Sequence, residues 1–324
     1  MTVQLQLPER APGSRIAGLG HYQPSRVVTN DDLVAQGVNT NDEWVRNMVG
    51  IAERRFAAAE ETMQDMATNA ASKALASSGV AADDIDLVLL ATCTNAHQVP
   101  GGAGEVAERL GIHRPGAYDL NAACAGFVYG LAQASTAVLT GQSRNVLVIG
   151  SEKLTDWVDV YDRSTGIIFG DGAGAAVVTA ADSPGIGPVA WGSDGEYVRS
   201  IYTDEQSQTL RQEGQTVFRW ATSSMADVAR RACELAGIEP SDLAAFVPHQ
   251  ANLRIIDLIA KRLALPDSVI VARDIVTSGN TSSASIPIAL SKLIERGEVS
   301  SGEPVLVIGF GAGLTYAAQV VLAP

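Results

Sequence analysis

The chain has 324 residues, 46% of them apolar and 18% charged, so it is a globular chain of two domains or two fused halves, and disorder, collagen and coiled coil are excluded. Its 23 Lys and Arg against 36 Asp and Glu leave a net charge of −13, which repels nucleic acid and anionic membranes, and no apolar run approaches the ~18 residues of a membrane-spanning helix. The N-terminal MTVQLQLPERAPGSR has no apolar core, so no secretory signal is expected. Three cysteines without C-x-x-C spacing exclude a disulfide framework and argue against a structural metal, and the chain reads as cytoplasmic.

Taken in order, the elements alternate. The spacing of Met63, Met66, Ala70, Ala74 and Ser77 predicts a helix over 62–78, stopped by Gly79. IDLVLLAT (85–92) reads as a strand buried on both faces, with Cys93 at its end. A helix over 125–140 follows Cys124 and stops at Gly141; strands follow at 145–151 and 174–179. The Pro/Gly-rich ADSPGIGPVA (181–190) reads as a join. Beyond it come a helix over 218–236, a strand over 243–248, a helix over 253–263 and a strand over 304–310. Strands alternating with helices imply crossovers and mainly parallel sheets.

One unit is used twice. VLVIG at 146–150 recurs at 305–309, an offset of 159. ALASSGVAADDIDLV resembles CELAGIEPSDLAAF, with Gly79 opposite Gly237, an offset of 158. The same offset sets Cys124 opposite Ser283, each where a loop feeds a helix of small residues. The expected halves are 1–180 and 181–324, with ligands binding where their strand-end loops meet.

Candidate chemistry lies in those loops. Cys124, in NAACAGF, stands at a helix start, where the dipole is expected to lower a thiol pKa and favour thioester exchange. The alternative is a buried cysteine acting as a small hydrophobe. His249 follows a predicted strand in FVPHQANLRII and reads as structural or catalytic. Asn280, in SGNTSSAS, is either an N-cap or an amide donor to an oxyanion. The glycines of IGFGAGLT and FGDGAGAAVV lack Walker and dinucleotide-binding spacing and read as tight turns or close approaches of backbone to a reacting carbon. His21, His97 and His113 have no partners at metal-ligand spacing, and no metal site is expected.

The set of Cys124 in AACAGF, His249 in VPHQANLRII and Asn280 in GNTSSAS resembles the Cys–His–Asn set of β-ketoacyl-acyl-carrier-protein synthase III, in the thiolase-like condensing family. The resemblance runs from IAGLGHYQPSRVVTNDDL through TNDEWV and FGDGAGAAV to VIGFGAGLTYAAQVVL. It implies a duplicated, five-layered α-β-α-β-α fold with two mixed, mostly parallel sheets. It also implies the initiating step of type II fatty-acid synthesis. Cys124 would take an acyl group from an acyl-coenzyme A, then condense it with malonyl-acyl carrier protein, releasing carbon dioxide. The oxyanion would be held by the backbone N–H groups of Cys124 and Ala312, and the enolate by His249 and Asn280. Coenzyme A thioester enters as substrate, and no cofactor is implied.

By the same resemblance Trp44 and Arg163 grip the adenine of coenzyme A, with Thr40 and Asn252 along the tunnel. Leu154, Phe169 and Phe218 match the acyl-pocket wall. Val99, in NAHQVPGG, sits at the tip of a loop that reaches the other subunit's pocket in a homodimer, where the family often has an aromatic ring. Met48 stands where the family commonly has Arg, with Arg46 nearby, and the polar stretch between Tyr197 and Gly214 is shorter than in some relatives. Arg219, Arg254, Lys261 and Arg262 form a candidate docking patch for the acidic carrier; an ordinary solvated face is the alternative. A paralogue priming a polyketide or other specialised pathway would carry the same residues. A degradative thiolase would need a second cysteine in VLVIGFGAGLTYAAQ, which has none, and a papain-type protease would need C-G-S-C-W, which is missing. A non-enzymatic scaffold would have no need of all three polar residues.

Overall fold

A computed structural model of the protein describes residues 7–324. The N-terminal stretch read as lacking a leader begins in residues 1–6, outside the described residues.

The first half runs β1 (Gly13–Tyr22), β2 (Arg26–Thr29), α1 (Asn30–Ala35), α2 (Asp42–Val49), β3 (Glu53–Phe56), α3 (Met63–Ser78), β4 (Leu87–Ala91), α4 (Gly102–Arg109), β5 (Gly116–Leu120), α5 (Gly126–Leu139), β6 (Asn145–Glu152) and β7 (Gly172–Ala181). The chain continues through β8 (Ala190–Ser193), β9 (Ile201–Thr203), β10 (Leu210–Gln212), α6 (Gly214–Ala236), β11 (Ala245–Pro248), α7 (Leu253–Arg262), β12 (Ile270–Val271), α8 (Ile275–Ser278), α9 (Ser285–Glu295), β13 (Pro304–Gly311) and β14 (Thr315–Leu322).

Two five-stranded sheets carry the molecule, ordered β1-β7-β6-β4-β5 and β12-β11-β13-β14-β8. In the first, β4, β5 and β6 are parallel, and β7 opposes both β6 and β1. In the second, β11, β12 and β13 are parallel, and β14 opposes both β13 and β8. Each sheet is therefore mixed but mostly parallel, with one reversed strand. Read from matching edges, β1, β7, β6, β4 and β5 answer to β8, β14, β13, β11 and β12. β6 and β13 begin 159 residues apart, as do α5 and α9. The repeat seen in five letters is a repeat of topology.

The strands show why their sequences are continuously apolar. Val146 and Val148 of β6 face α5 and α9, while Leu147 and Ile149 face α3. In β13, Val305 and Val307 face the middle helices, while Leu306, Ile308 and Phe310 face α6. Successive side chains of a strand point to opposite faces, so a strand covered on both faces needs apolar residues throughout. The layers are α3 and α4, the first sheet, α5 and α9, the second sheet, then α6 and α7. This is the five-layered α/β arrangement implied by the resemblance. Among the described residues no helix is long and apolar enough to cross a membrane.

Three of the expected helices end within one residue of their expected bounds. α6 begins at Gly214 instead of 218, and no side chain caps its first turn. α2 was not anticipated from periodicity, although its punctuation is present in the sequence. The Asn41 side chain accepts from Trp44 N–H, and Gly50 closes the helix at φ 82°.

Candidate active site

The centre of the molecule is built from two matching turns. Ala123–Ala125 leads into α5, and Ser282–Ala284 leads into α9, again 159 residues apart. Each turn opens on a left-handed non-glycine residue, Ala123 at φ 46° and Ser282 at φ 49°. Each packs on the sheet of the other half. A Cβ on Gly309 would lie 2.8 Å from Ala125 Cα, and one on Gly150 would lie 2.6 Å from Ser283 O. Only glycine permits either approach. A Cβ on Gly311 would come within 3.0 Å of Cys124 Sγ, so the backbone entering Ala312 passes directly beside the sulfur.

His249 follows β11 and is buried. Its backbone N–H donates to Ile308 O at 2.7 Å, and its ring meets Phe310 edge-on at 5.4 Å. Ser285 Oγ lies 2.7 Å from His249 Nδ1 and accepts from Gln250 N–H at 3.3 Å. A Ser285 hydroxyl that donates to Nδ1 while accepting from Gln250 N–H satisfies all three groups, and in that arrangement the imidazole proton sits on Nε2. Burial pushes the His249 pKa down to about 3, so the ring is neutral at physiological pH.

Asn280 is held by its backbone: its N–H donates to Ile168 O at 2.9 Å, and its O accepts from Gly170 N–H at 3.0 Å. Its Oδ1 accepts from Ser282 N–H at 2.8 Å. The amide oxygen is thereby occupied and the amide N–H₂ is free. Asn280 is not the N-cap expected as one alternative, since Thr281 holds that place before the 282–284 turn; its Oδ1 braces the turn through Ser282 N–H, and its amide N–H₂ faces the cavity.

The thiol corrects one expectation. Cys124 lies in the 3-10 turn, one residue ahead of the α5 N-cap, and not on the helix. Burial pushes its pKa up to about 12; Ser282 and its own backbone N–H oppose the shift, and Glu152 adds to it. Desolvation is the largest cause, and the Cys124 sulfur rests as a thiol.

Cys124, His249 and Asn280 line one cavity of about 810 Å³, together with Leu154, Phe169, Phe218, Asn252 and Ala312. Towards solvent, Arg163 stacks over Trp44 at 4.6 Å and Arg254 over Phe218 at 5.3 Å. Ile201, Tyr202, Leu210 and Gln212, from the β9–β10 hairpin, line another wall, so the short polar stretch forms part of the enclosure. Met48 lines the cavity too, while Arg46 stands outside its lining and pairs with Asp42 at 2.7 Å.

Other anticipated residues stand apart. Thr40 does not line the cavity; its hydroxyl is buried without a partner. Val99 is 87% exposed and also lies outside the lining. Of the basic residues, Arg219 and Arg254 reach the cavity, whereas Lys261 and Arg262 sit exposed at the far end of α7. Ser282, Ser285 and Glu152 escaped notice in the sequence. The 159-residue offset could have found Glu152, since it is the counterpart of Gly311.

The family model described as 3-oxoacyl-[acyl-carrier-protein] synthase III matches residues 118–195, and that for the C-terminal region of the same synthase matches residues 233–322. The chain is 53% identical over 315 residues to the beta-ketoacyl-[acyl-carrier-protein] synthase III 2 of Streptomyces avermitilis, covering 96% of this chain and 99% of the relative. It is 47% identical to the synthase III of Streptomyces glaucescens, covering 97% of both. Among solved structures, the priming beta-ketosynthase from the R1128 polyketide biosynthetic pathway superposes with a TM-score of 0.96 at 45% identity, covering 99% of this chain and 98% of that one. The 3-oxoacyl-[acyl-carrier-protein] synthase III of Aquifex aeolicus superposes with 0.91 at 40% identity, covering 96% of this chain and all of the other.

Proposed function

The chain belongs to the β-ketoacyl-[acyl-carrier-protein] synthase III family of condensing acyltransferases, and from that premise we propose that it performs the initiating condensation of type II fatty-acid synthesis with Cys124, His249 and Asn280 as its catalytic residues. The observation that carries this reading is that the neutral His249 ring and the Asn280 amide, whose Oδ1 is already occupied, line one cavity with the Cys124 sulfur.

In the first stage the Cys124 sulfur attacks the thioester carbonyl of an acyl-coenzyme A. The tetrahedral oxyanion forms beside the Cys124 and Ala312 backbone N–H groups. The C–S bond to coenzyme A breaks, and its thiolate leaves with the proton that Cys124 gave up. In the second stage malonyl-acyl carrier protein loses carbon dioxide. The electron pair of the broken C–C bond becomes an enolate, stabilised by His249 and Asn280. Its carbon attacks the acyl-Cys124 carbonyl, a C–C bond forms, the C–S bond breaks, and Cys124 departs as a thiolate that takes a proton from solvent to restore the thiol. A carboxylate in place of either donor would repel the enolate, and a fully neutral pair suits it. No cofactor beyond the coenzyme A thioester substrate enters this scheme. The test is to follow carbon dioxide release and 3-oxoacyl-carrier product from acyl-coenzyme A and malonyl-acyl carrier protein.

The same chemistry priming a specialised pathway is the second reading, favoured by the superposition on the R1128 priming ketosynthase. Primer choice bears on it. We place Val99 at the acyl pocket of a partner subunit in a homodimer, a position supported by its exposure here. Where a valine replaces a ring, space opens for several carbons, each methylene worth about 0.8 kcal/mol when buried. The expected outcome is that isobutyryl- and hexanoyl-coenzyme A are used at least as well as acetyl-coenzyme A, and that Val99→Phe restores acetyl preference. Specificity constants for the three primers check this. A strong native preference for acetyl, or an unchanged ranking in Val99→Phe, contradicts it.

The carrier is acidic, so its dock must be local on a chain of net charge −13. Arg254 at the cavity mouth and Lys261 further along α7 are proposed for it. Reversing both to Glu should raise the Michaelis constant for malonyl-acyl carrier protein about tenfold or more and flatten its salt dependence, and Lys261→Glu alone, outside the cavity lining, should weaken the carrier with coenzyme A thioester kinetics nearly unchanged. Unchanged carrier kinetics would reduce these residues to a solvated helix face.

A further inference from the structure

The two matching turns at the centre are built alike and finished differently. Ala125 N–H donates to Ala122 O, and Ala284 N–H to Thr281 O, both at 3.0 Å. Ala123 N–H donates to Asn121 Oδ1 at 3.1 Å, as Ser282 N–H does to Asn280 Oδ1 at 2.8 Å. The halves part company where each turn meets the end of the opposite central strand. After β6, Lys153 N–H donates to Thr94 Oγ1 at 3.0 Å, and the Lys153 ammonium pairs with Asp156 at 3.4 Å. The counterparts of Lys153 and Asp156 after β13 are Ala312 and Thr315. Among the described residues neither the Ala312 N–H nor the Cys124 N–H donates to any other residue. Two N–H groups are thus left open where the Gly311 backbone passes the sulfur.

Thr315 opens β14 and stands outside the cavity lining. Its hydroxyl donates to Ala122 O at 3.2 Å and to Ala312 O at 3.0 Å. Ala122 O is the carbonyl on which the Cys124 turn closes, and Ala312 O belongs to the residue that carries the other open N–H. Among the described residues no other hydrogen bond joins these two turns. A Cβ on Gly313 would lie 2.7 Å from Thr315 Cγ2, so the methyl packs against the turn while the hydroxyl faces the carbonyls. A hydroxyl shared between two carbonyls holds them together, because turning either peptide plane loses one of the bonds.

We propose that Thr315 is a positioning residue for the oxyanion site: its hydroxyl holds Ala122 O to Ala312 O and so sets the spacing of the Cys124 and Ala312 N–H groups. The inference rests on those N–H groups receiving the oxyanion, as proposed above. An oxyanion forms beside Cys124 twice, when the sulfur attacks the incoming thioester and when the enolate attacks the acyl-Cys124 carbonyl. Thr315 therefore serves the steps in which charge develops at Cys124, and His249 and Asn280 serve the decarboxylation.

The test uses the full chain carrying Thr315→Val, which keeps the shape of the side chain and removes the hydroxyl. Single-turnover acylation of Cys124 by isobutyryl-coenzyme A should slow about ten- to a hundredfold, short of losing an oxyanion donor outright. The loss should fall on the maximal rate and leave the half-saturating concentration nearly unchanged, because Thr315 does not touch the cavity. Two further measurements separate positioning from general damage. Iodoacetamide alkylation of Cys124 forms no oxyanion, and at a fixed alkaline pH it should keep its native rate, with peptide mapping to separate Cys93 and Cys233. Thr315→Ser keeps the hydroxyl and should acylate within about threefold of native. Native acylation in Thr315→Val, an equal loss in alkylation, or a serine variant as slow as the valine variant would overturn the proposal and leave Cys124 as the nucleophile. A native enzyme that forms no adduct on Cys124 would overturn the reading beneath it as well. Should Thr315→Val not fold, Thr315→Ala takes its place with the same expected results.

Discussion

Cys124→Ala should lose acyl transfer by at least about 10⁴-fold, the scale of losing a nucleophile that forms a covalent intermediate. Nothing else at the cavity can take its place. Cys93 lies against Glu152 at 3.5 Å and is raised by burial and by that carboxylate, and Cys233 is buried on the inner face of α6, in a different layer. The fold should survive, because the change removes one sulfur from a half-buried turn and leaves the Gly309 and Gly311 approaches untouched. A melting temperature within a few degrees of native is expected. Acylation at native rates in this variant would remove Cys124 from the mechanism.

His249→Ala and Asn280→Ala should separate the two stages. Each removes one donor to the enolate, which costs about 10²- to 10³-fold in decarboxylation and condensation. Acylation of Cys124 should fall much less, because its oxyanion is assigned to backbone N–H groups. Single-turnover measurements of each stage check this, and equal losses in both would contradict the division of roles. The pH profile supplies an independent sign. Burial holds His249 below its ordinary value, so the proton is lost only near pH 3 and the ring stays neutral above it. Condensation should therefore show no acidic limb from His249 between roughly pH 5 and 8. The same shift works against the fold as pH falls. The unfolded chain binds the proton near the ordinary histidine value and the native chain does not, so stability declines from there down towards pH 3.

Much of this was legible in the sequence because the duplication wrote it twice. VLVIG repeated at a fixed offset gave the central strands, and Gly79 and Gly237 gave matching helix ends. Cys124, His249 and Asn280 could be named because loops after strands are short and chemically distinctive. The edge strands were not legible: β5 is half-exposed and polar, β12 has two residues, and the β9–β10 hairpin is three residues on each side, too short for any periodicity to register. The thiol was misread because a helix start was visible in the sequence and its burial was not. Ser285 and Ser282 went unseen because a hydroxyl acquires a role only from what it faces, and His249 is 36 residues from Ser285 along the chain.

The proposed reaction runs in two stages through one cysteine. The most direct measurement is the intact mass of the enzyme after isobutyryl-coenzyme A, with the adduct mapped, followed by a chase with malonyl-acyl carrier protein. One acyl group is expected on Cys124, disappearing during the chase as 3-oxoacyl-carrier product forms. An enzyme that carries no adduct, carries it on another residue, or keeps it through the chase does not work through an acylated Cys124.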